Sequence, residues 1–232
     1  MKLAIMQPYF FPYIGYFQLI DLVDQFVIYD DVNFIKKGWI NRNNILVDEK
    51  NYLITLPLEK VSQNKLINEI KISDDKRKLK KILNIIFHSY KKAPYFEEMY
   101  PIITSCIQYE PINLVDYLTN SLKEICKYLN IKTNLILSSD IEKDNQLKGQ
   151  EKILEICKIR KANHYINPIG GMEIYDREKF NRNEIKINFL KTENILYNQK
   201  TKEFIPNLSI IDVIMFNSKE ESQNLLTKFS LV

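Results

Sequence analysis

Leu3-Ala4-Ile5-Met6, the stretch from Tyr13 to Asp24, and Phe26-Val27-Ile28-Tyr29 follow one another near the amino terminus. They read as a short β-type run, a connecting segment of helical length and apolar content, and a second β-type run. Two strands joined through a helix are expected to lie parallel, because a tight turn is the route to antiparallel pairing. Open parallel sheets receive ligands in the crevice outside the carboxyl ends of their strands. The polar residues after Met6 and after Tyr29 are therefore the first place to look for chemistry.

Working outward, Tyr52–Pro57 and Ile67–Ile72 are expected to be two more strands, the second with Ile70 and Ile72 alternating against Glu69 and Lys71, joined as a hairpin by a polar loop. From Asp75 the period changes to 3.6 residues. Leu79, Ile82, Leu83 and Ile86 mark one helix, and Leu118, Leu122, Ile125 and Leu129 another, with Ala93-Pro94-Tyr95 breaking the chain between them. Residues 75 to 130 are thus expected to be a helical block beside the sheet. Leu135–Leu137 as a strand, Lys152–Lys161 as a helix with Ile153, Ile156 and Cys157 facing inward, and Tyr165-Ile166 as a strand repeat the opening unit. Its exit is Asn167-Pro168-Ile169-Gly170-Gly171. Ile185, Ile187 and Phe189 alternate like a half-buried strand, Leu208–Phe216 is compact and apolar, and Ser218 with Glu221 offers a capping box for a last helix. Nothing marks a linker or a repeat. The expectation is one α/β domain over residues 1–232, a mostly parallel, Rossmann-like sheet with a helical insertion.

Composition narrows the function classes. The 232 residues, 45% of them hydrophobic, suffice for a substantial core. A balance of 33 basic and 29 acidic residues leaves a formal charge of only +4, far from the basic stripe by which nucleic-acid binders displace counterions. Lys76-Arg77-Lys78 and Lys80-Lys81 interleave with apolar residues at helical spacing and read as a solvated helix face. Cys106, Cys126 and Cys157 stand far apart in apolar stretches, as buried thiols of a reducing compartment do. With two histidines and no close cysteine pair, the ligands of a zinc site are lacking, although carboxylates alone could hold a metal. The amino terminus has too short an apolar run for a signal peptide, and no stretch approaches the roughly 20 apolar residues of a membrane helix. A cytoplasmic protein is expected, with a small-molecule substrate, no nucleic-acid partner and no membrane insertion.

Chemistry concentrates in the first 42 residues. Only 5 glycines occur, and Gly15, Gly38 and Gly170-Gly171 all fall in loops or at strand exits, where a backbone without Cβ can approach a ligand; ordinary turn geometry is the competing reading for each. Gln7, Tyr9, Tyr13 and Tyr16 interleave with Phe10, Phe11 and two prolines, the composition of a preorganised wall for a flat or sugar-like ligand. The second strand ends in Tyr29-Asp30-Asp31, and since neighbouring side chains alternate faces, one carboxylate is expected to face the pocket as base, hydroxyl acceptor or cap. Lys36, Lys37, Trp39, Asn41 and Arg42 combine cations, an amide and an aromatic plane, which suits phosphate recognition with ring stacking. His88 is a further candidate base, ahead of His164, because imidazole exchanges protons near neutrality. There is no serine elbow, no Walker loop and no G-x-G-x-x-G.

Gln7-Pro8-Tyr9, Pro12 to Phe17, Asp30-Asp31 with Lys37, Trp39, Asn41 and Arg42, Tyr90 with Ala93 to Phe96, Tyr165 to Gly171, and Leu208 to Asp212 together resemble the WbqC-like protein family, in order and over nearly the whole chain. The resemblance implies a transferase of bacterial surface-polysaccharide (O-antigen) biosynthesis that acylates or aminoacylates the amine of a nucleotide-linked amino sugar. The resemblance does not fix the donor, for which an acyl thioester of coenzyme A or of an acyl carrier protein is one candidate. On that reading Asp30, Asp31 or His88 takes the ammonium proton. Gln7, Tyr9, Tyr13, Gly15, Lys37, Trp39, Asn41 and Arg42 contact substrate from the front, and Asn167, Gly170, Gly171 and Tyr175 do so from the late strand exit. Two other readings stay open: a nucleotide-binding enzyme that activates a carboxylate or transfers a nucleotidyl group with magnesium, and a non-catalytic sugar-binding partner.

Overall fold

The opening pattern folds as its periodicity demands in a computed structural model describing residues 1–232. Strand β1 (Lys2–Met6) pairs in parallel with β2 (Gln25–Ile28), Leu3 opposite Gln25 and Met6 opposite Ile28, and helix α1 (Ile14–Leu22) crosses between them. Leu3, Ala4, Phe26, Val27 and Ile28 have no exposed surface, because helices cover both faces and each strand reads as a continuous apolar run.

The next pairing differs from the expected one. A hairpin joins β3 (Arg42–Val47) to β4 (Lys50–Thr55) through Asp48 and Glu49, whose φ angles of 48° and 57° give the left-handed two-residue turn that matches strand twist. Lys50–Thr55 thus pairs backward, with a partner two residues away rather than across a long loop. Ile67–Glu69 is one 3-10 turn, and of the expected second pairing only an isolated bridge next to it, Leu58–Ile72, is present. The polar start Arg42-Asn43-Asn44 hid β3, because its first inward position is filled by an amide, Asn43, rather than an apolar side chain.

The helical block comprises α2 (Lys76–Tyr90), α3 (Phe96–Ile107) and α4 (Leu114–Tyr128). Asp75 caps α2 by accepting from Arg77 N at 3.2 Å, and Asn113 caps α4 by accepting from Asp116 N at 2.9 Å. The chain then returns to the sheet with β5 (Asn134–Leu137), α5 (Gly149–Ile159), β6 (His164–Pro168), α6 (Arg177–Arg182) and β7 (Lys186–Thr192). A long irregular segment leads to α7 (Ile210–Phe216), α8 (Lys219–Leu226) with its Ser218–Glu221 capping box, and β8 (Phe229–Leu231).

The six strands run in the order β5-β2-β1-β6-β7-β8, all parallel except β8. Connections leave β1 toward β2 and β5, then resume on its other side at β6, so the winding reverses between β1 and β6. That reversal opens the crevice in which α/β sheets hold ligands. One face packs against α1 and the helical block, with Ala4, Ile28 and Ile166 turned toward it. The opposite face turns Leu3, Ile5, Val27 and Tyr165 toward α5 and α6.

Candidate functional site

The loop leaving β1 is held rigidly by its own backbone. Phe10 N donates to Trp39 O at 3.2 Å, Asn43 Nδ2 donates to Phe10 O and Phe11 O at 3.1 and 2.8 Å, and Ser209 Oγ donates to Phe11 O at 2.7 Å. Phe11 adopts φ 41°, which turns the chain so that both phenylalanine rings enter the core. Tyr9 and Tyr13 remain half-buried. Together with Pro12, Trp39, Asn43 and Asn207 they line a cleft of about 270 Å³. Past Tyr13 and Asn207 a second hollow of about 160 Å³ continues toward Thr192, Tyr197 and Phe204. Burial raises the phenol pKa of both Tyr9 and Tyr13, so the cleft presents neutral hydroxyls. Gly15 is required here by space: a Cβ on it would sit 2.4 Å from Tyr13 Cε2 and 2.5 Å from Thr192 Oγ1.

The cations expected beside Trp39 are arranged differently from a free loop. Arg42 opens β3, and its guanidinium turns back, Nε donating to Gly38 O at 2.9 Å and Nη2 to Lys37 O. Asn41 Nδ2 donates to Leu56 O at 3.0 Å. Both side chains therefore brace the turn that presents Trp39, while Lys37, with φ 63°, stays exposed. Trp39 itself keeps 46% of its surface in solvent.

Asp30 and Asp31 diverge to opposite faces, as alternation requires. Asp30 is buried, and its two oxygens accept from Ser139 N at 2.9 Å and Ser139 Oγ at 2.6 Å, with Asn68 Nδ2 at 3.4 Å. Asp31 lies with Lys143 Nζ at 2.8 Å and Lys152 Nζ at 3.0 Å from the same oxygen, Oδ2. Desolvation pushes its carboxyl upward, but contacts with Lys143, Ser138 and Lys152 outweigh it and hold the pKa below the usual range. Lys152 also lies over the Tyr29 ring, 5.4 Å from its centroid. Nearby on the same face, Tyr165 Oη lies 3.3 Å from both Tyr175 Oη and Asn167 Oδ1. Gly171 lets this packing close, since a Cβ there would fall 1.8 Å from Asn167 Nδ2, whereas one on Gly170 would meet nothing.

All these groups occupy the carboxyl edge of the sheet but form two sets. Tyr9, Tyr13, Gly15 and Trp39 belong to the cleft on the α1 side; Asp31, Asn167, Gly171 and Tyr175 belong to the α5 side. Gln7 stands at the end of β1 between them, its carbonyl accepting from Tyr16 Oη at 2.9 Å. His88 is exposed on α2 against the Phe87 ring and lines neither hollow. His164 Nε2 meets Asn188 Oδ1 at 3.0 Å, and burial lowers its pKa. The cysteines are all free and buried, and desolvation pushes each thiol up to about 12, so none is a ready thiolate.

Sequence reasoning missed two groups. Lys143 and Lys152 are one; the signal was Lys152 lying four residues before inward-facing Ile156 in α5. The other is centred on Asp212, a fully buried carboxylate in the apolar run of α7. It accepts from Tyr90 Oη at 2.8 Å, Tyr197 Oη at 2.6 Å and Gln199 Nε2 at 2.8 Å, while Tyr90 Oη accepts from Leu46 N at 2.9 Å. Gln199 further bonds both backbone groups of Ile205. This network ties the irregular segment after β7, which carries Tyr197, Phe204 and Asn207 to the cleft, onto α2, α7 and β3.

Comparison with known proteins agrees with this layout's extent. The profile of the WbqC-like protein family matches residues 7–224. Uncharacterized protein Rv1507c of Mycobacterium tuberculosis is 30% identical over 234 residues, covering 97% of this chain and 97% of that protein. No solved structure matches. No helix is long and apolar enough to cross a membrane.

Proposed function

Because this chain belongs to the WbqC-like protein family, we propose that it is a transferase of bacterial surface-polysaccharide (O-antigen) biosynthesis, moving an acyl or aminoacyl group to the amine of a nucleotide-linked amino sugar. The observation that carries this reading is the cleft walled by Tyr9, Tyr13 and Trp39 beyond the carboxyl end of β1. Aromatic planes with neutral hydroxyls and an amide suit a sugar or base ring, which offers apolar faces and hydroxyl edges. Lys37 stands exposed on the same turn as Trp39, within the segment expected to meet the phosphates.

The donor on this reading is an acyl thioester of coenzyme A or a carrier protein. The sugar nitrogen attacks the thioester carbonyl, the new C–N amide bond forms as the C–S bond breaks, and the thiol leaves with one proton. Orientation and carbonyl polarisation suffice for such a step, which accords with three cysteines whose thiols are held protonated. Of the three groups considered for the ammonium proton, Asp30 has both oxygens engaged and His88 faces solvent on α2. Asp31 is held ionised but lies on the α5 side against Lys143 and Lys152, away from the cleft, so on this reading the proton passes to solvent rather than to any of the three.

Trp39 is the only tryptophan, so its emission reports the cleft directly. Titration with a nucleotide-linked amino sugar is expected to change that emission saturably. Addition of acyl-coenzyme A is expected to release free thiol and to raise the sugar's mass by the acyl group. A Trp39→Phe variant should bind the sugar about tenfold more weakly, the loss of roughly 1.4 kcal/mol of stacking. Absence of both emission change and thiol release across a panel of amino sugars would overturn the proposal.

A further inference from the structure

We propose that Lys143 and Lys152, with Asp31 between them, form a receiving site for the acidic group of a ligand, a phosphate or a carboxylate, on the sheet face opposite the aromatic cleft. The argument begins with charge. Both ammonium groups contact the single oxygen Asp31 Oδ2, at 2.8 and 3.0 Å, and the side chains of Lys143, Lys152 and Asp31 are 1%, 6% and 10% exposed. Neither lysine pairs with any other carboxylate, so two positive charges face one negative charge in a place largely closed to water. An uncompensated buried charge is costly, and an incoming anion cancels it.

The donors are distributed unequally. Lys143 Nζ also donates to Ser138 O and, at 3.2 Å, to Ile141 O, which together with Asp31 engages its three hydrogens. Lys152 Nζ donates to Asp31 O at 3.2 Å besides its contact with Oδ2, which leaves one hydrogen for a ligand. Ser138 Oγ is turned to Asp31, whose carboxyl it helps hold ionised, so the free donor of the cluster is the remaining hydrogen of Lys152. Tyr29, Asp31 and Lys143 are the partly exposed members of the cluster. The position adds to the case: the cluster joins the carboxyl ends of β2 and β5 to the first turn of α5, at the sheet edge where α/β folds receive ligands. By contrast, the guanidinium of Arg42, expected from the sequence to be an anion ligand, is directed to the carbonyls of Lys37 and Gly38.

The test uses the full chain and no transfer reaction, so it fails or succeeds apart from the transferase reading. Thermal unfolding is followed with inorganic phosphate, pyrophosphate and malonate, each against sodium chloride at matched ionic strength. The expected result is a rise in Tm above the chloride control, from the phosphates if the ligand is phosphorylated and from malonate if it is a carboxylate. Lys152→Gln is expected to weaken the effective anion at least tenfold, Lys152→Arg to keep most of it, and Lys158→Gln, an exposed lysine of the same helix, to change nothing. Crystals grown or soaked with selenate give a reading independent of any variant, with anomalous density expected in contact with Lys152 Nζ. No stabilisation beyond chloride by any of the three anions, a full response in Lys152→Gln, or selenate found only elsewhere would each overturn the site.

Discussion

Gly170 and Gly171 are adjacent, yet only one of them is dictated by its surroundings. A Cβ at 171 would overlap Asn167 Nδ2 at 1.8 Å, and the buried Asn167 cannot swing away without losing Tyr165, while at 170 the space is open. Gly171→Ala is therefore expected to cost about 1–3 kcal/mol in chemical denaturation, and Gly170→Ala to remain within about 0.5 kcal/mol of the parent. The twin glycine was legible in the sequence as a strand exit. Which glycine matters was not, since the answer depends on a side chain folded back over the turn. Arg42 shows the same limit: its charge and its neighbour Trp39 were legible, but its own partners, two carbonyls four and five residues behind it, follow from the curl of the turn and the start of β3.

At the scale of elements, the segment between β7 and α7 has no regular structure and depends on one buried carboxylate for its course. Burial raises the pKa of Asp212, and bonds from Tyr197, Gln199 and Tyr90 oppose that rise. The folded chain thus holds this proton more tightly than the unfolded chain. Its contribution to stability is full below the unfolded pKa and declines as pH rises through the folded one. Tyr197→Phe removes a donor and lifts the folded pKa further, so the variant is expected to lose little stability in mild acid and about 1–3 kcal/mol at neutral pH. Denaturation midpoints measured from pH 5 to pH 8 check this; a loss independent of pH would show that Asp212 does not titrate in that range. Leu208–Phe216 was legible as a compact apolar run, and Asp212 within it was the sign of a polar clamp. Its partners lie 122, 15 and 13 residues away, beyond the reach of local pattern.

Across the whole molecule, β1 lies at the centre of the winding with a parallel strand on each side, whereas β5 has a neighbour on one side only. Native-state hydrogen exchange is expected to be slowest at amides of β1, β2 and β6 and faster by at least an order of magnitude along β5, because opening an edge breaks fewer ladders. Equal protection in β5 and β1 would contradict this order of stabilities. Apolar periodicity, the scarcity of glycine and the strand–helix–strand openings at both ends sufficed, by themselves, for the α/β class, the parallel sheet, the helical block and the carboxyl-edge position of the polar loops. Those are consequences of local geometry, since a period of 2 or 3.6 residues fixes which side chains share a face. The hairpin partner of Lys50–Thr55, the companions that Asp30 and Asp31 find on their opposite faces, and the meeting of Lys143 with Lys152 were decided only in three dimensions. Burial turns such meetings into chemistry: charges and donors that would be independent in water must there find one another, and which ones meet depends on the packing of segments far apart in the chain.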